Sequence, residues 1–253
     1  MIKFFRKIRY DLIKKNKTGK YFKYALGEIV LVVIGILIAL QINNWNEARK
    51  YRQQETQYLK RLLAENQLDI TTFSNNIFAL EKGKESIERL CETLKTSNSD
   101  SILILTANDY FKYGSIYPVF SSSTSTFDDL SSTGNLQIIT NIKLRDSLVN
   151  HYAKHKRVTE WINVATNWAL PLDAPFTYEN DIMKFEPSTA FLFPEQDKKV
   201  LAEELRANKM QYISNAAAHH WINSDAINQL QILIKDTNQL IDMIEENLNI
   251  DDL

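Results

Sequence analysis

Three residue types that mark particular folds are scarce in this chain. Its 253 residues include one cysteine, five prolines and six glycines. Because Cys91 stands alone, the chain cannot form an intrachain disulfide or a cysteine-based metal site. Few glycines and prolines disfavour a many-stranded β-protein, which needs frequent tight turns, and favour long helices. The composition therefore predicts an all-α fold.

The motifs of common catalytic and nucleotide-binding sites are absent as well. The sequence has no glycine-rich phosphate loop, no nucleophile elbow and no Cys–His arrangement. Asp128 and Asp129 are adjacent along the chain, as are Glu245 and Glu246, so their carboxylates diverge on a helix and make a poor general acid and base. The sequence predicts that the protein is not an enzyme and carries no cofactor.

Charge is distributed unevenly along the chain. The net formal charge is −1, but residues 1–23 hold nine lysines and arginines against Asp11 alone. A nucleic-acid-binding protein carries its positive charge on the folded domain, so nucleic acid is not a predicted partner. Apolar residues recur at helical spacing among the basic ones, which indicates an amphipathic segment on a membrane surface. We predict that residues 1–23 bind the anionic inner leaflet of a bilayer.

A long apolar run follows the basic segment. Every residue from Ile29 to Leu40 is apolar or glycine, and Tyr24 and Trp45 bracket the run. A helix from Tyr24 to Trp45 is about 31 Å long, which matches the hydrocarbon core of a bilayer with an aromatic side chain at each interface. We predict a transmembrane helix at 24–45.

The flanking charge sets the predicted topology. Lysines and arginines crowd the N-terminal side of the run, so the positive-inside rule places residues 1–23 in the cytoplasm. We predict a single span in a bacterial inner membrane, with residues 46–253 in the periplasm. A cleaved signal peptide is the alternative, but its basic region would be shorter and an A-x-A pattern would follow.

Three residues of the predicted span favour contact with another helix. Glu28 lies one turn inside Tyr24, at a depth where its carboxylate reaches the cytoplasmic head groups or a partner helix. Gly35 and Ala39 are four residues apart, a pair of small residues that lets two helices approach closely. We predict a homo-oligomer or a membrane-protein partner.

The rest of the chain has the pattern of long amphipathic helices. Helical stripes of apolar residues run from Leu144 to Trp168 and from Ile227 to Leu248. An earlier stripe keeps heptad spacing through Leu59, Leu63, Ile70, Phe73, Ile77, Leu80, Ile87, Cys91 and Leu94. Because such stripes must be buried together, we predict an antiparallel bundle or a coiled-coil-like domain.

Two stretches interrupt this pattern and predict linkers. Residues 97–125 are rich in serine, and residues 171–194 hold four of the five prolines and several aromatic residues. A loop as long and aromatic as the second is commonly a cap or a binding loop. We expect residues 171–194 to plug the end of the bundle with apolar side chains, and the alternative is a ligand pocket where this stretch meets the bundle.

The four histidines form two pairs. His151 and His155 share one face of a predicted helix, and His219 and His220 lie at the start of the last long helix. An i,i+4 pair is a workable metal chelate that a third imidazole could complete. The segment HYAKH lacks the glutamate of a zinc-protease motif and adds lysines, so we expect surface or interface histidines, with a metal site as the alternative.

Two blocks of sequence resemble one known family. They are MIKFFRKIR continued by NKTGKYFKYALGEIVLVVIGILIALQINNWNE at the N-terminus, and LSSTGNLQIITNIKLRDSLVNHY at 130–152. Both are similar to an uncharacterised family of membrane proteins common in Bacteroidota. The resemblance implies a single-pass inner-membrane protein with a helical periplasmic part, and it brings no catalytic or binding residues.

These observations favour one function and leave a second open. We expect a single-pass inner-membrane scaffold or accessory protein that acts through protein contacts of its periplasmic helices. The alternative is a periplasmic module that senses a small molecule or a metal and signals through a partner. An ordered cavity lined by residues 171–194 would favour the binding module, whereas a bundle without a cavity and with an exposed apolar stripe would favour the scaffold.

Overall fold

The computed structural model describes Tyr10 and residues 18–251. Most of the predicted basic segment 1–23 lies outside these residues, so its amphipathic character stays a prediction. The chain divides into two compact units, Met1–Glu55 and Thr56–Leu253.

The first helix, α1, spans Thr18–Thr96 and contains the predicted membrane span. It is the one helix of the described chain that is long and apolar enough to cross a membrane, and none of its most apolar window is buried. Leu31, for example, keeps 62% of its surface exposed. By length and composition, this part of α1 agrees with the predicted membrane helix.

The second unit is built from helices and turns, with no strand among its described residues. After α1 come α2 (Asp100–Asp109), α3 (Ser125–Ser132), α4 (Ile142–Glu179), α5 (Lys198–Ala207) and α6 (Lys209–Asp251). A π-helical turn at Tyr110–Gly114 follows α2, and 3₁₀ turns lie at Asn135–Ile138, Ile182–Lys184 and Ala190–Leu192. The all-α prediction is confirmed.

Three buried clusters show how the long helices run past one another. The first cluster includes Leu59 of α1, Leu148 of α4 and Ile244 of α6. The second includes Phe73, Ile162 and Leu230 of the same three helices. The third includes Leu90 of α1 and Ala216 of α6. From one cluster to the next, residue numbers rise along α1 and α4 and fall along α6. The bundle is therefore antiparallel at α6, whereas α1 and α4 run in the same direction.

A crossover connection makes the parallel pair feasible. The chain leaves the end of α1 and returns along its side before α4 begins, as parallel neighbours require. The contacts move back along α1 as the crossover proceeds, through Asn76 with Val119 (3.1 Å), Asp69 with Ser123 (2.8 Å) and Glu65 with Thr126 (2.7 Å).

The prediction of a linker over residues 97–125 is wrong for its first half, which is helical. The hydroxyl of Ser99 accepts a hydrogen bond from the N–H of Ile102 and so caps α2. The short apolar run that follows contributes the fully buried Leu103 to the core. The serine-rich stretch before α2 therefore marks a helix cap, and only the later residues form the crossover.

The predicted linker 171–194 begins too early, because α4 continues to Glu179 with Pro171 and Pro175 inside it. Each proline lacks an N–H group and so removes one hydrogen bond from the helix. The last turns of α4 still pack well, since the ring of Phe176 lies 5.3 Å from that of Tyr212 on α6. Packing against α6 thus outweighs the local cost of the prolines.

The buried face of α1 differs in part from the predicted heptad stripe. Leu62, Asn66 and Asp69 are buried, whereas the predicted core positions Leu63 and Ile70 are only half-buried. Because α1 contacts α4, α6 and the crossover at once, its buried face is wider than a two-helix seam. It therefore includes polar residues that bond to those neighbours.

Two glycines let the π-helical turn lie directly on α1. A Cβ atom on Gly83 of α1 would lie 2.7 Å from the carbonyl oxygen of Tyr113, and one on Gly114 would lie 2.7 Å from Oγ of Ser86. Neither place holds a methyl group without movement of its neighbours. This close contact sets the position of the segment that leads to the candidate site.

Candidate functional site

The strongest candidate site among the described residues is a cleft between α4 and α6, beside the segment that follows the π-helical turn. It consists of two adjoining hollows of about 340 and 280 Å³. Asp173, Phe176 and Asn215 line both hollows, and we call the whole the Asp173 cleft. It lies where residues of the predicted second linker pack on the bundle.

The carboxylate of Asp173 accepts three hydrogen bonds from two other elements. Its Oδ1 accepts from Nδ2 of Asn215 (2.6 Å), and its Oδ2 accepts from Nε2 of His219 (2.9 Å) and from the phenol of Tyr117. The side chain of Asp173 is 19% exposed, and that of His219 only 1%. These bonds tie α4 to α6 and to the segment after the π-helical turn.

The ring of His219 has an oxygen acceptor at each nitrogen. Nδ1 lies 3.3 Å from the carbonyl oxygen of Ile116, and Nε2 lies 2.9 Å from the carboxylate of Asp173. Both nitrogens are engaged with protein groups, which leaves neither of them to activate a nucleophile.

A buried tyrosine fixes the orientation of Asn215. The phenol of Tyr110 donates to Oδ1 of Asn215 at 2.5 Å, so the Nδ2 of that amide faces Asp173. Tyr110 belongs to the π-helical turn and is fully buried. Burial raises the pKa of Tyr110, so its phenol stays a neutral donor. The cleft carboxylate is thus supported by a second layer of fixed groups.

Asp173 remains ionised although it is half-buried. Burial by itself raises the pKa of this carboxyl, but the hydrogen bonds from His219, Tyr117 and Asn215 outweigh burial and leave the pKa below its ordinary value. The cleft therefore presents a negative charge near neutral pH.

Three acidic and three aromatic side chains contribute to the walls of the cleft, beside neutral polar ones. Glu179 lines the larger hollow and Glu186 the smaller one, and neither hollow has a lysine or arginine in its wall. Phe176 lines both hollows, and Phe111 and Ile182 add apolar surface to the smaller one. Concave apolar surface with a few fixed polar groups is typical of small-molecule binding sites.

The predicted histidine pair lies elsewhere, in a buried cluster between α4 and α6. His151 and His155 are each 2% exposed, and their ring centroids are 4.2 Å apart. Nδ1 of His151 lies 2.7 Å from Oδ2 of Asp236, which also pairs with Lys154. The expectation of surface histidines is therefore wrong for this pair.

The structure does not bring the four histidines together. His219 lies in the Asp173 cleft, and Nε2 of the half-exposed His220 pairs with Glu88 at 3.0 Å. Within the part of the chain that the structure describes, no three or more His, Cys, Asp or Glu side chains are placed to hold a metal ion. The second pair thus splits between a cleft and the surface.

Burial controls the ionisation of the histidine cluster. It lowers the pKa of His151 against the opposing effect of Asp236. It also lowers the pKa of His155 to about 3, and the neighbouring His151 adds to this shift. His155 contacts the rings of Phe73, Phe120 and Tyr152, so it behaves as a neutral aromatic core residue.

The residues predicted to make membrane or helix contacts all lie in α1. Trp45 is 66% exposed, Ala39 is exposed and Glu28 is half-buried. A Cβ on Gly35 would meet no atom within 4 Å. Tyr24 belongs to the helix, but its side chain lies outside the described residues. Helix–helix contact through this part of α1 stays a prediction.

Sequence reasoning missed the three residues that, with His219, form the polar centre of the cleft. Asp173, Asn215 and Tyr117 belong to no spacing motif, because 42 to 56 residues separate Asp173 from its partners along the chain. The one usable signal was the position of Asp173 between two prolines in an aromatic segment that already stood out as a candidate binding region.

Replacing His155 by phenylalanine should make the free energy of unfolding depend less on pH under acidic conditions. The pKa of His155 falls from 6.5 to about 3 on folding, so below pH 6.5 the unfolded chain binds a proton that the folded chain refuses. Wild type should lose up to about 1.4 kcal/mol of stability per pH unit between these values because of this residue, and His155→Phe should not. Urea unfolding followed by circular dichroism at several pH values measures the difference.

His220→Gln is the matched control for this experiment. It removes a half-exposed histidine that lies outside the buried pair, so the loss of stability caused by His155 should remain. The raised pKa of Asp69, about 6 because of its burial, acts in the opposite direction but is common to all three proteins. Equal losses of stability in wild type and His155→Phe on acidification would show that His155 is not held neutral.

Comparison with known proteins places the chain in one family. Residues 28–160 match a family of unknown function, DUF6090. The matched range includes Tyr110 and Tyr117 but ends before Asp173, Asn215 and His219. No curated protein and no solved structure matches the chain. Because the match extends over more than half of its residues, the chain belongs to the family of unknown function DUF6090.

Proposed function

We propose that this protein is a single-pass inner-membrane protein whose periplasmic helical domain is a small-molecule binding module. The anchor in this proposal is the span at 24–45, whose described apolar side chains are exposed. The basic residues of segment 1–23 support a cytoplasmic N-terminus held at the inner leaflet. The resemblance of the N-terminal block supports an origin in a Bacteroidota bacterium.

The Asp173 cleft carries the proposal of a binding module. Residues of the 171–194 stretch line it, which is the arrangement that favours a binding module over a scaffold. Its carboxylate is held by donors on two other elements, so the site needs little reorganisation when a ligand arrives. A preformed concave site of this kind is the feature that a scaffold does not require.

The position of the cleft also supports a response to the ligand. A molecule in the cleft contacts α4, α6 and the segment after the π-helical turn at the same time. Its binding energy therefore favours arrangements in which these three elements are close together. A partner that contacts any of them would receive the signal.

A second candidate function, the scaffold, is favoured by an exposed aromatic surface on α4 and α6. Trp168 and Trp221 are each more than half exposed, and their ring centroids lie 5.8 Å apart. Trp161 joins Trp221 at 6.5 Å, and Val164 is 69% exposed beside them. We call these four residues the tryptophan face. Tryptophan is enriched at the energetic centres of protein interfaces.

The occupant that we propose for the tryptophan face is a second copy of this chain. A groove of about 660 Å³ adjoins the face and is lined by Arg157 and Glu160, among others. Opposite charges this close together on one helix are self-complementary, because a twofold axis can pair Arg157 of one copy with Glu160 of the other. Small residues in the predicted span would allow the same two copies to meet in the bilayer.

The proposed topology predicts distinct behaviour on cell fractionation. The full chain should stay with the membrane in high salt and alkaline carbonate and leave it only with detergent, because about 20 apolar residues insert irreversibly. Protease added to cells with a permeabilised outer membrane should remove a tag at the C-terminus but spare a tag at the N-terminus. Release of the chain without detergent, or a protected C-terminal tag, contradicts the proposal.

Filling the Asp173 cleft should abolish ligand binding. Ser214→Trp places a ring in the larger hollow from an exposed position on α6, whereas the control Ser214→Ala leaves the hollow open. We expect at least one molecule in a panel of small amines, alcohols, carboxylates and amino acids to raise the Tm of wild type and of Ser214→Ala by a few degrees. Ten times its Kd of a ligand adds about 1.4 kcal/mol of stability.

In the same panel, the Tm of Ser214→Trp should not change. A shift of equal size in all three proteins would place binding outside the cleft and contradict the binding module. A panel in which no molecule shifts the Tm of wild type would also contradict it.

Removing the tryptophan face should weaken self-association. Trp168→Ala combined with Trp221→Ala deletes two rings from the proposed interface, and each ring at a packed contact contributes about 2 kcal/mol or more. Chemical cross-linking in membranes should give fewer dimers of this variant than of wild type. Phe78→Ala is the control, because Phe78 on α1 is 72% exposed and lies outside the face. Unchanged dimer yield in the double variant would exclude this surface.

A further inference from the structure

We propose that the ligand of the Asp173 cleft is a small organic cation, an ammonium or guanidinium group on an apolar body. This inference rests on the binding module proposed above and names the class of molecule that the module takes. Three features of the cleft support it. Asp173 can accept a further hydrogen bond, the walls carry acidic side chains, and aromatic rings lie beside them.

The carboxylate of Asp173 can accept one further hydrogen bond. Each carboxylate oxygen offers two lone pairs. The Oδ2 atom already accepts from His219 and Tyr117, whereas Oδ1 accepts from Asn215 alone. A ligand that donates to Oδ1 would complete the set, and a charged N–H donor gives the strongest bond to a carboxylate.

The three donors on Asp173 also exclude a ligand that would compete with them. Asn215 is oriented by Tyr110, and His219 is oriented by the carbonyl oxygen of Ile116. A carboxylate or phosphate ligand would need these N–H groups, which Asp173 already occupies. Such an anion would also lie against the ionised Asp173 without a compensating charge.

The charges on the cleft walls favour the same sign of ligand. Glu179 adds negative charge to the larger hollow and Glu186 to the smaller one, and the walls contain no lysine or arginine. The nearby Lys184 is engaged with Glu204, with Nζ 2.6 Å from Oε2 of that residue. The potential in the cleft therefore attracts cations.

Aromatic rings provide a surface for the body of the ligand. Phe176 lines both hollows, and Phe111 and Tyr117 line the smaller one. A cation over such a ring gains roughly 0.5 to 2 kcal/mol from the ring quadrupole. Hollows of 340 and 280 Å³ are at the lower end of the size range of ligand pockets. The site is thus matched to a compact cation, not to a peptide or a nucleotide.

Three probes of one shape but different charge test the inference. They are 2-phenylethylamine, 2-phenylethanol and 3-phenylpropionate, each titrated by calorimetry into the full chain in a mild nonionic detergent. We expect the amine to bind at least ten times more tightly than the alcohol or the carboxylate, because the charged hydrogen bond to Asp173 is available to the amine alone. Ser214→Trp, with its filled hollow, corrects for partition of the probes into detergent.

Two variants locate the charge dependence in the cleft. Asp173→Asn should lower the affinity for the amine by about ten- to a hundred-fold and leave the alcohol within about two-fold. Glu179→Gln changes an exposed side chain that the fold does not need, so it tests the inference even if Asp173→Asn fails to fold. We expect it to lower the affinity for the amine by about two- to five-fold and to leave the affinity for the alcohol unchanged.

The outcomes separate this inference from the proposed function. Binding of the alcohol or the carboxylate as tightly as the amine, with loss in Ser214→Trp, would overturn the cation inference and leave the binding module intact. Amine binding that is unaffected by both Asp173→Asn and Glu179→Gln would overturn it as well. If neither these probes nor any molecule of the wider panel binds in the cleft, the binding module itself is wrong.

Discussion

A half-buried carboxylate with three donors holds together the most irregular corner of the helical domain. Moving a carboxylate out of water costs several kcal/mol unless the protein replaces its hydration. Asp173 on α4 obtains that replacement from Asn215 and His219 on α6 and from Tyr117 after the π-helical turn. Each donor is itself held by packing or by a further bond, so the position of one side chain constrains three elements.

The bonds of Asp173 form one polar layer across the bundle, and a second polar layer lies farther along its axis. Asn66 of α1 donates to the phenol of Tyr152 on α4 at 3.3 Å, and His151 of α4 pairs with Asp236 of α6. Apolar stripes of similar composition can slide past one another by a turn at little cost, whereas a buried polar pair is satisfied in one register. We infer that the two polar layers set the register of the three long helices. An apolar cluster that includes Phe73, Ile162 and Leu230 lies between them.

The sequence predicted those features whose signals are local. Hydrophobic periodicity predicted the all-α fold and the three long helices, and an unbroken apolar run predicted the exposed N-terminal part of α1. Prolines were misread as the end of α4, because a proline removes a local hydrogen bond but says nothing of the packing that retains the helix through Phe176. Asp173 could not be singled out, since Asn215 and His219 reach it only through the antiparallel packing of α6 on α4, and Tyr117 only through the crossover after the π-helical turn.

The irregular backbone of this domain is concentrated where the cleft lies. Pro171 and Pro175 flank Asp173 and together remove two hydrogen bonds from α4. On the other side of the cleft, the π-helical turn replaces regular helix just before Tyr117 and is accommodated by Gly114. Such turns are unfavourable in isolation and recur at functional sites. Regular helices on both sides would bury Asp173 in a continuous interface, so the departures from regularity are what keep a cavity beside it.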